Sequence, residues 1–146
     1  MNERLPQPKA LLIDMDDTII AYEHGFDVNA CWRKVCGEHL ASEEERLDEA
    51  VALIRTQAAW YWSDPARHRT GRMDLDAARA DIVAGALTPW GGVSRAVAER
   101  IGAAYGNVRY EAIAAFPGAL DALRHFRALG LRLALVTNGS SRGQRA

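Results

Sequence analysis

Lysine is nearly absent from this 146-residue chain: Lys9 and Lys34 are the only two, and none follows position 34. Neither sign of charge is in excess, since 18 basic residues, mostly arginine, stand against 19 acidic ones for a net charge of −1. A balance of this kind does not draw a chain to nucleic acid or anionic lipid. Cysteine is scarce too. Cys31 and Cys36 are five apart, an offset of about 140° on a helix, which sets them badly for a disulfide. A metal site needs more ligands than this pair, so buried, reduced thiols are expected. Residues 1–9 carry charges and two prolines where a signal peptide needs an apolar segment, and no later run approaches membrane-spanning length. The expectation is a cytoplasmic protein with no membrane or nucleic-acid partner. With 49% hydrophobic and 25% charged residues, the composition is that of an ordinary globular domain able to bury a core.

What the sequence does contain is an abrupt boundary. Ala10-Leu11-Leu12-Ile13 is followed by Asp14, Asp16 and Asp17, three carboxylates within four positions, and then by Thr18. A short apolar run without polar alternation predicts a parallel strand covered on both faces, and ligands bind beyond the carboxyl ends of such strands. Carboxylates this close repel one another unless a cation neutralises them or one holds a proton. Both remedies suit a reaction centre; an acidic turn after a strand is the plainer alternative. A calcium loop of the EF-hand type is excluded, because Ile19 stands where the sharp turn needs glycine and Gly25 stands where the last acid is needed.

Helical spacing then takes over. Val28, Cys31, Trp32, Val35 and Cys36 mark a first helix with Asp27 as its N-cap, and His39 ends it as a surface or cap residue. Ser42 with Glu45 forms a capping box ahead of a second helix carrying Leu47, Ala50, Val51, Ile54 and Ala58. Trp60-Tyr61-Trp62 suits a helix contact, and Pro65 stops the helix before it. Arg67, Arg69 and Arg72 fall in a predicted loop, read as a solvated connector or as a loop that meets an anion. Leu75, Ala78, Ile82, Val83 and Ala86 mark a third helix, and Val93, Val97, Ile101, Ala104 and Tyr105 a fourth. Residues 20–110 are therefore predicted to hold four helices and no strand.

Phe116-Pro117-Gly118 opens a further helix with Leu120, Leu123, Phe126 and Leu129 on its apolar face, closed by Gly130. A second apolar strand, 131–136, ends in Thr137-Asn138-Gly139-Ser140-Ser141. A hydroxyl, a turned backbone and a helix N-terminus there make a phosphate cradle, unless the segment is an ordinary capped turn.

Strand, Asp14, Asp16 and Thr18 together resemble the first motif of the haloacid dehalogenase (HAD) superfamily, most of whose members are Mg²⁺-dependent phosphatases. The second strand ending in Thr137 is similar to that family's second motif. The resemblance implies an α/β fold, a doubly wound parallel sheet with a helical-bundle cap inserted after the first strand: residues 1–20 and 111–146 as a partial core, 21–110 as the cap. It implies Asp14 as the nucleophile that forms an aspartyl-phosphate and Asp16 as the acid and base. Thr137 and Asn138 would hold the phosphate, and Asp14 and Asp16 the Mg²⁺. The substrate class implied is a small phosphorylated metabolite. The family's remaining motifs, a lysine and a distal pair of acids, are missing, so the chain reads as a fragment expected to be inactive alone. The alternative function is a non-catalytic phosphate- or partner-binding remnant. A phosphoacceptor receiver domain is disfavoured because Asp48 and Asp64 lie in helical or turn context rather than at a strand end.

Overall fold

The computed structural model describes residues 8–22, 25–40 and 44–137. The described residues divide into two compact units, one formed by those up to Phe26 together with those from Ala112 to Thr137, the other by those within Asp27–Glu111.

In the first unit, strand β1 (Ala10–Asp14) pairs in parallel with β2 (Arg132–Val136), Ala10 opposite Arg132 and Asp14 opposite Val136. Among the described residues these two strands make the whole sheet. Helix α6 (Ala119–Ala128), the last among the described residues, precedes β2. Gly118 at φ +80° opens it. At its other end Gly130 takes the left-handed conformation while Leu131 N donates to Phe126 O (3.2 Å) and Gly130 N to Arg127 O (3.0 Å), the paired bonds of a Schellman stop. The expected apolar face of α6 is only partly used: Leu123 and Phe126 are half-buried, while Leu120 and Leu129 are exposed. The sheet shows the same lack of cover, for Leu12 is 78% exposed and Leu135 and Val136 are exposed as well. A parallel sheet normally has both faces covered, and two strands with one helix provide too little surface to do so.

The second unit is helical. Helix α1 (Val28–His39) begins at Asp27, whose Oδ1 accepts from Asn29 N (2.9 Å) and Ala30 N (3.0 Å). Helix α2 (Glu44–Ser63) follows; the Ser42 cap expected for it lies outside the described residues. Then come α3 (Pro65–Gly71), α4 (Leu75–Ala86), a 3-10 turn at Thr88–Trp90 and α5 (Arg95–Ala112). The core is the set of residues that the helical spacing singles out: Val35, Cys36, Ile54, Val83 and Ile101 are fully enclosed, joined by Leu87. Trp32 of α1 stacks flat on Tyr105 of α5 with ring centroids 3.7 Å apart. Cys36 is buried and Cys31 half-buried, both as free thiols.

Among the described residues, five α-helices stand where four were expected. The basic stretch Arg67–Arg72 is not a loop, because Asp64 Oδ1 caps α3 by accepting from Ala66 N (3.0 Å) and Arg67 N (2.8 Å), with Pro65 pre-set at the first helical position. Arg67 faces back onto α2. Its Nε donates to Tyr61 O (3.2 Å), its Nη2 donates to Trp60 O (2.7 Å), and the guanidinium lies 3.7 Å from the Trp60 ring centroid. It satisfies carbonyls that a helix C-terminus leaves without partners, so Arg67 makes a structural contact rather than lying in the solvated connector or anion-meeting loop that the sequence offered.

A charged residue also enters this core. Arg79 of α4 is 5% exposed. Its Nη1 donates to Asp76 Oδ1 (3.0 Å), and its guanidinium lies 5.9 Å from the ring centroids of Tyr105 and Tyr110. Room for it exists because α5 carries Ala98, Gly102 and Gly106 at four-residue intervals, a stripe of small residues on one helix face. A side-chain carbon on Gly106 would collide with the Arg79 guanidinium.

Candidate active site

Parallel pairing brings the carboxyl ends of β1 and β2 together, which places Asp14 beside Val136 and Thr137 one residue beyond it. This is the sheet edge at which ligands bind in open α/β folds. Asp14 Oδ2 accepts from Thr18 Oγ1 (3.2 Å), and Asp16 Oδ2 accepts from Thr137 Oγ1 (3.5 Å). Each expected catalytic carboxylate thus has its own hydroxyl, one from its own loop and one from the neighbouring strand 121 positions away. Asp16 is half-buried; Asp14, Thr18 and Thr137 are exposed. Asn138, expected to share the phosphate with Thr137, lies outside the described residues.

The loop that carries Asp16 is closed on itself. Met15 O accepts from Ile19 N (2.9 Å) and Ile20 N (3.1 Å), while Asp17 N donates to Ile20 O (2.8 Å). A short antiparallel contact then fixes it to the segment ahead of α6: Ala21 N donates to Ala114 O (2.9 Å), Phe116 N donates to Ile19 O (2.9 Å), and Ile20 bridges Ala115. The residue missed by sequence reasoning is Asp17. It does not extend the acidic cluster; it adopts φ +54° and its Oδ1 accepts from Tyr22 N (3.0 Å). The signal available was its residue type, since Asp is among the few side chains that tolerate the left-handed region.

For a metal ion, the described residues of the site offer hard oxygen donors: the carboxylates of Asp14 and Asp16 and the hydroxyls of Thr18 and Thr137. That set fits Mg²⁺, which is commonly held by one or two carboxylates together with water and substrate phosphate. It is not an all-protein cage, for no three His, Cys, Asp or Glu side chains converge among the described residues. No described helix is long and apolar enough to cross a membrane.

The solved structures similar to the chain include a dehalogenase, at a TM-score of 0.46 and 19% identity over 97% of this chain and 56% of that one. Another is the L-2-haloacid dehalogenase of Xanthobacter autotrophicus, at 0.47 and 19% over 95% and 50%. The same enzyme with chloropropionic acid covalently bound matches at 0.47 and 18% over 95% and 50%. The chain therefore spans about half the length of the structures it resembles. No curated protein matches it in sequence. The family model for haloacid dehalogenase-like hydrolases matches residues 8–146, and the chain belongs to that family.

Proposed function

We propose that the Asp14 and Asp16 pair serves Mg²⁺-dependent hydrolysis of a small phosphomonoester through an aspartyl-phosphate. The observation that carries this reading is the separate bracing of two carboxylates at one strand edge, Asp14 by Thr18 and Asp16 by Thr137. The Thr18 hydroxyl occupies Asp14 Oδ2, which leaves Oδ1 to attack phosphorus. As the new P–O bond forms, the ester P–O bond breaks, and Asp16 in its protonated form gives its proton to the departing alkoxide. Asp16, now ionised, takes a proton from water; the resulting hydroxide attacks the same phosphorus, and Asp14 leaves as a carboxylate with inorganic phosphate released. Thr137 and Asn138 would orient the phosphoryl oxygens. Bound Mg²⁺, held by the Asp14 carboxylate and the Asp16 main-chain carbonyl, would neutralise charge on the phosphate.

Asp16 also separates this chemistry from dehalogenation. Halide is a stable anion that leaves without a proton, whereas an alkoxide needs one, so a proton donor beside the nucleophile has work to do in the first step only on the phosphoester. The alternative reading is a phosphate-binding protein without turnover.

The test is steady-state hydrolysis of an aryl phosphate with Mg²⁺, together with acid trapping of a phosphoenzyme. Asp14→Asn should abolish both, and Asp16→Asn should lower turnover by about 10² to 10⁴. Phosphate binding without any phosphoenzyme would establish the second reading instead.

A further inference from the structure

The third carboxylate of the cluster is not explained by either role. Asp17 directly follows Asp16, and a carboxylate turned toward the same edge would add repulsion against an anionic substrate. It is turned elsewhere: Asp14, Asp16 and Asp17 do not converge as a group of three acids, and Asp17 Oδ1 accepts from Tyr22 N (3.0 Å). Among the described residues Asp17 is also the one non-glycine with positive φ, +54°. Glycine would supply that backbone without strain but has no acceptor to offer; alanine would supply neither. Asp and Asn supply both, through a short side chain that bonds its own backbone nearby.

We propose that Asp17 is the positioning residue of this site, a left-handed pivot whose carboxylate holds the 15–22 loop closed so that Asp16 and Thr18 reach their hydroxyl and carboxylate partners. The geometry links the parts directly. The left-handed turn lets Asp17 N meet Ile20 O (2.8 Å) while Met15 O collects Ile19 N and Ile20 N. Side-chain capping of Tyr22 N closes the far end of the same loop, next to the Ala21–Ala114 bond that fixes it to the rest of the unit. Asp16 and Thr18 flank the pivot on either side. Its acceptor oxygen and its tolerance of positive φ are what this role uses.

The kinetic part of this proposal rests on the phosphatase reading, so the experiment carries two readouts that do not. Asp17→Asn, Asp17→Gly and Asp17→Ala are made in the full chain and compared by amide hydrogen exchange at Tyr22, by Mg²⁺ titration calorimetry, and by kcat and KM on an aryl phosphate. Asn keeps acceptor and backbone, so Tyr22 protection, Mg²⁺ affinity and kcat should stay within about threefold of wild type. Gly keeps the backbone alone, and Tyr22 should exchange about fivefold to tenfold faster. Ala loses both, and kcat should fall about 10- to 100-fold with KM little changed, because the reacting groups rather than the phosphate contacts are displaced. A tenfold loss of Mg²⁺ affinity in Asp17→Asn would make Asp17 a metal ligand and overturn the proposal. So would Asp17→Ala with wild-type Tyr22 protection. If wild type itself shows no turnover, the phosphatase reading fails, and the exchange and Mg²⁺ results still decide the role of Asp17.

Discussion

Two glycines in the helical unit make opposite predictions from the same substitution. Gly102 of α5 faces the backbone of α4: an added Cβ would lie 3.0 Å from Ala80 N, 3.0 Å from Arg79 Cβ and 3.2 Å from Arg79 C. Two of these three are main-chain atoms of a regular helix, which cannot swing aside. Replacing glycine by alanine inside a helix gains about 1 kcal/mol of intrinsic preference, but overpacking a close contact costs about 1 to 3 kcal/mol. The net effect is a loss of roughly 1 kcal/mol, rising to about 2 where α4 cannot shift. Gly37 of α1 is the control, since its added Cβ would meet Leu47 Cδ1 at 3.5 Å, an ordinary contact. There the helical preference is kept, and Gly37→Ala should stabilise by about 0.5 to 1 kcal/mol. For a unit of this size, 1 kcal/mol shifts Tm by about 4–8 °C, so the two variants should melt on opposite sides of wild type. Thermal and urea unfolding followed by circular dichroism at 222 nm would resolve them. A Gly102→Ala chain as stable as wild type would refute the inference that the bare glycine surface sets the approach of α4 to α5.

Arg67→Ala should destabilise the helical unit by about 1 to 3 kcal/mol through the lost bonds to Tyr61 O and Trp60 O, and Arg67→Lys should recover little of it, because a point charge cannot reach two carbonyls and stack on Trp60; chemical unfolding measures both. The hydrogen bond from Arg67 N holds the Asp64 carboxyl below its ordinary 3.8, so its stabilisation is fully present above that pH and is lost as pH falls through the lower folded value; the stability gap between wild type and Asp64→Asn should narrow over that acid range and nowhere else. Burial pushes the Cys36 thiol up to about 11, so a thiol reagent at pH 8 should label Cys36 only on unfolding. Burial, then the charge of Asp27, raises the Cys31 thiol, so Asp27→Asn, which keeps a capping side chain, should speed labelling of Cys31.

Elements with local causes were legible in the sequence. Helix α1 announces itself by Asp27 and by the spacing of Trp32, Val35 and Cys36, and each strand by a run of apolar residues with a polar end. The shared location of Asp14, Asp16 and Thr137 was legible for the same reason: residues placed at a strand end move with the strand, so finding β1 and β2 was enough to bring the three to one edge. Helix α3 was not legible, because its seven residues, PARHRTG, have no apolar face; what forms it is a cap and a proline at one end and Arg67 reaching back to α2. Arg79 was hidden as well, since its burial depends on Gly102 and Gly106 of another helix.

Asp17 shows where reading by residue type reaches its limit. Three carboxylates in four positions look alike along the chain, and only backbone direction separates them. That direction is braced by partners far away in sequence as well as by its own loop: Ile20 pairs with Ala115, and Phe116 N donates to Ile19 O. The segment that ends in Pro117 and Gly118 and leads into α6 therefore does more than connect. It fixes the loop that aims Asp16, and the geometry of the candidate site is completed by main-chain bonds from residues that bear no reactive group.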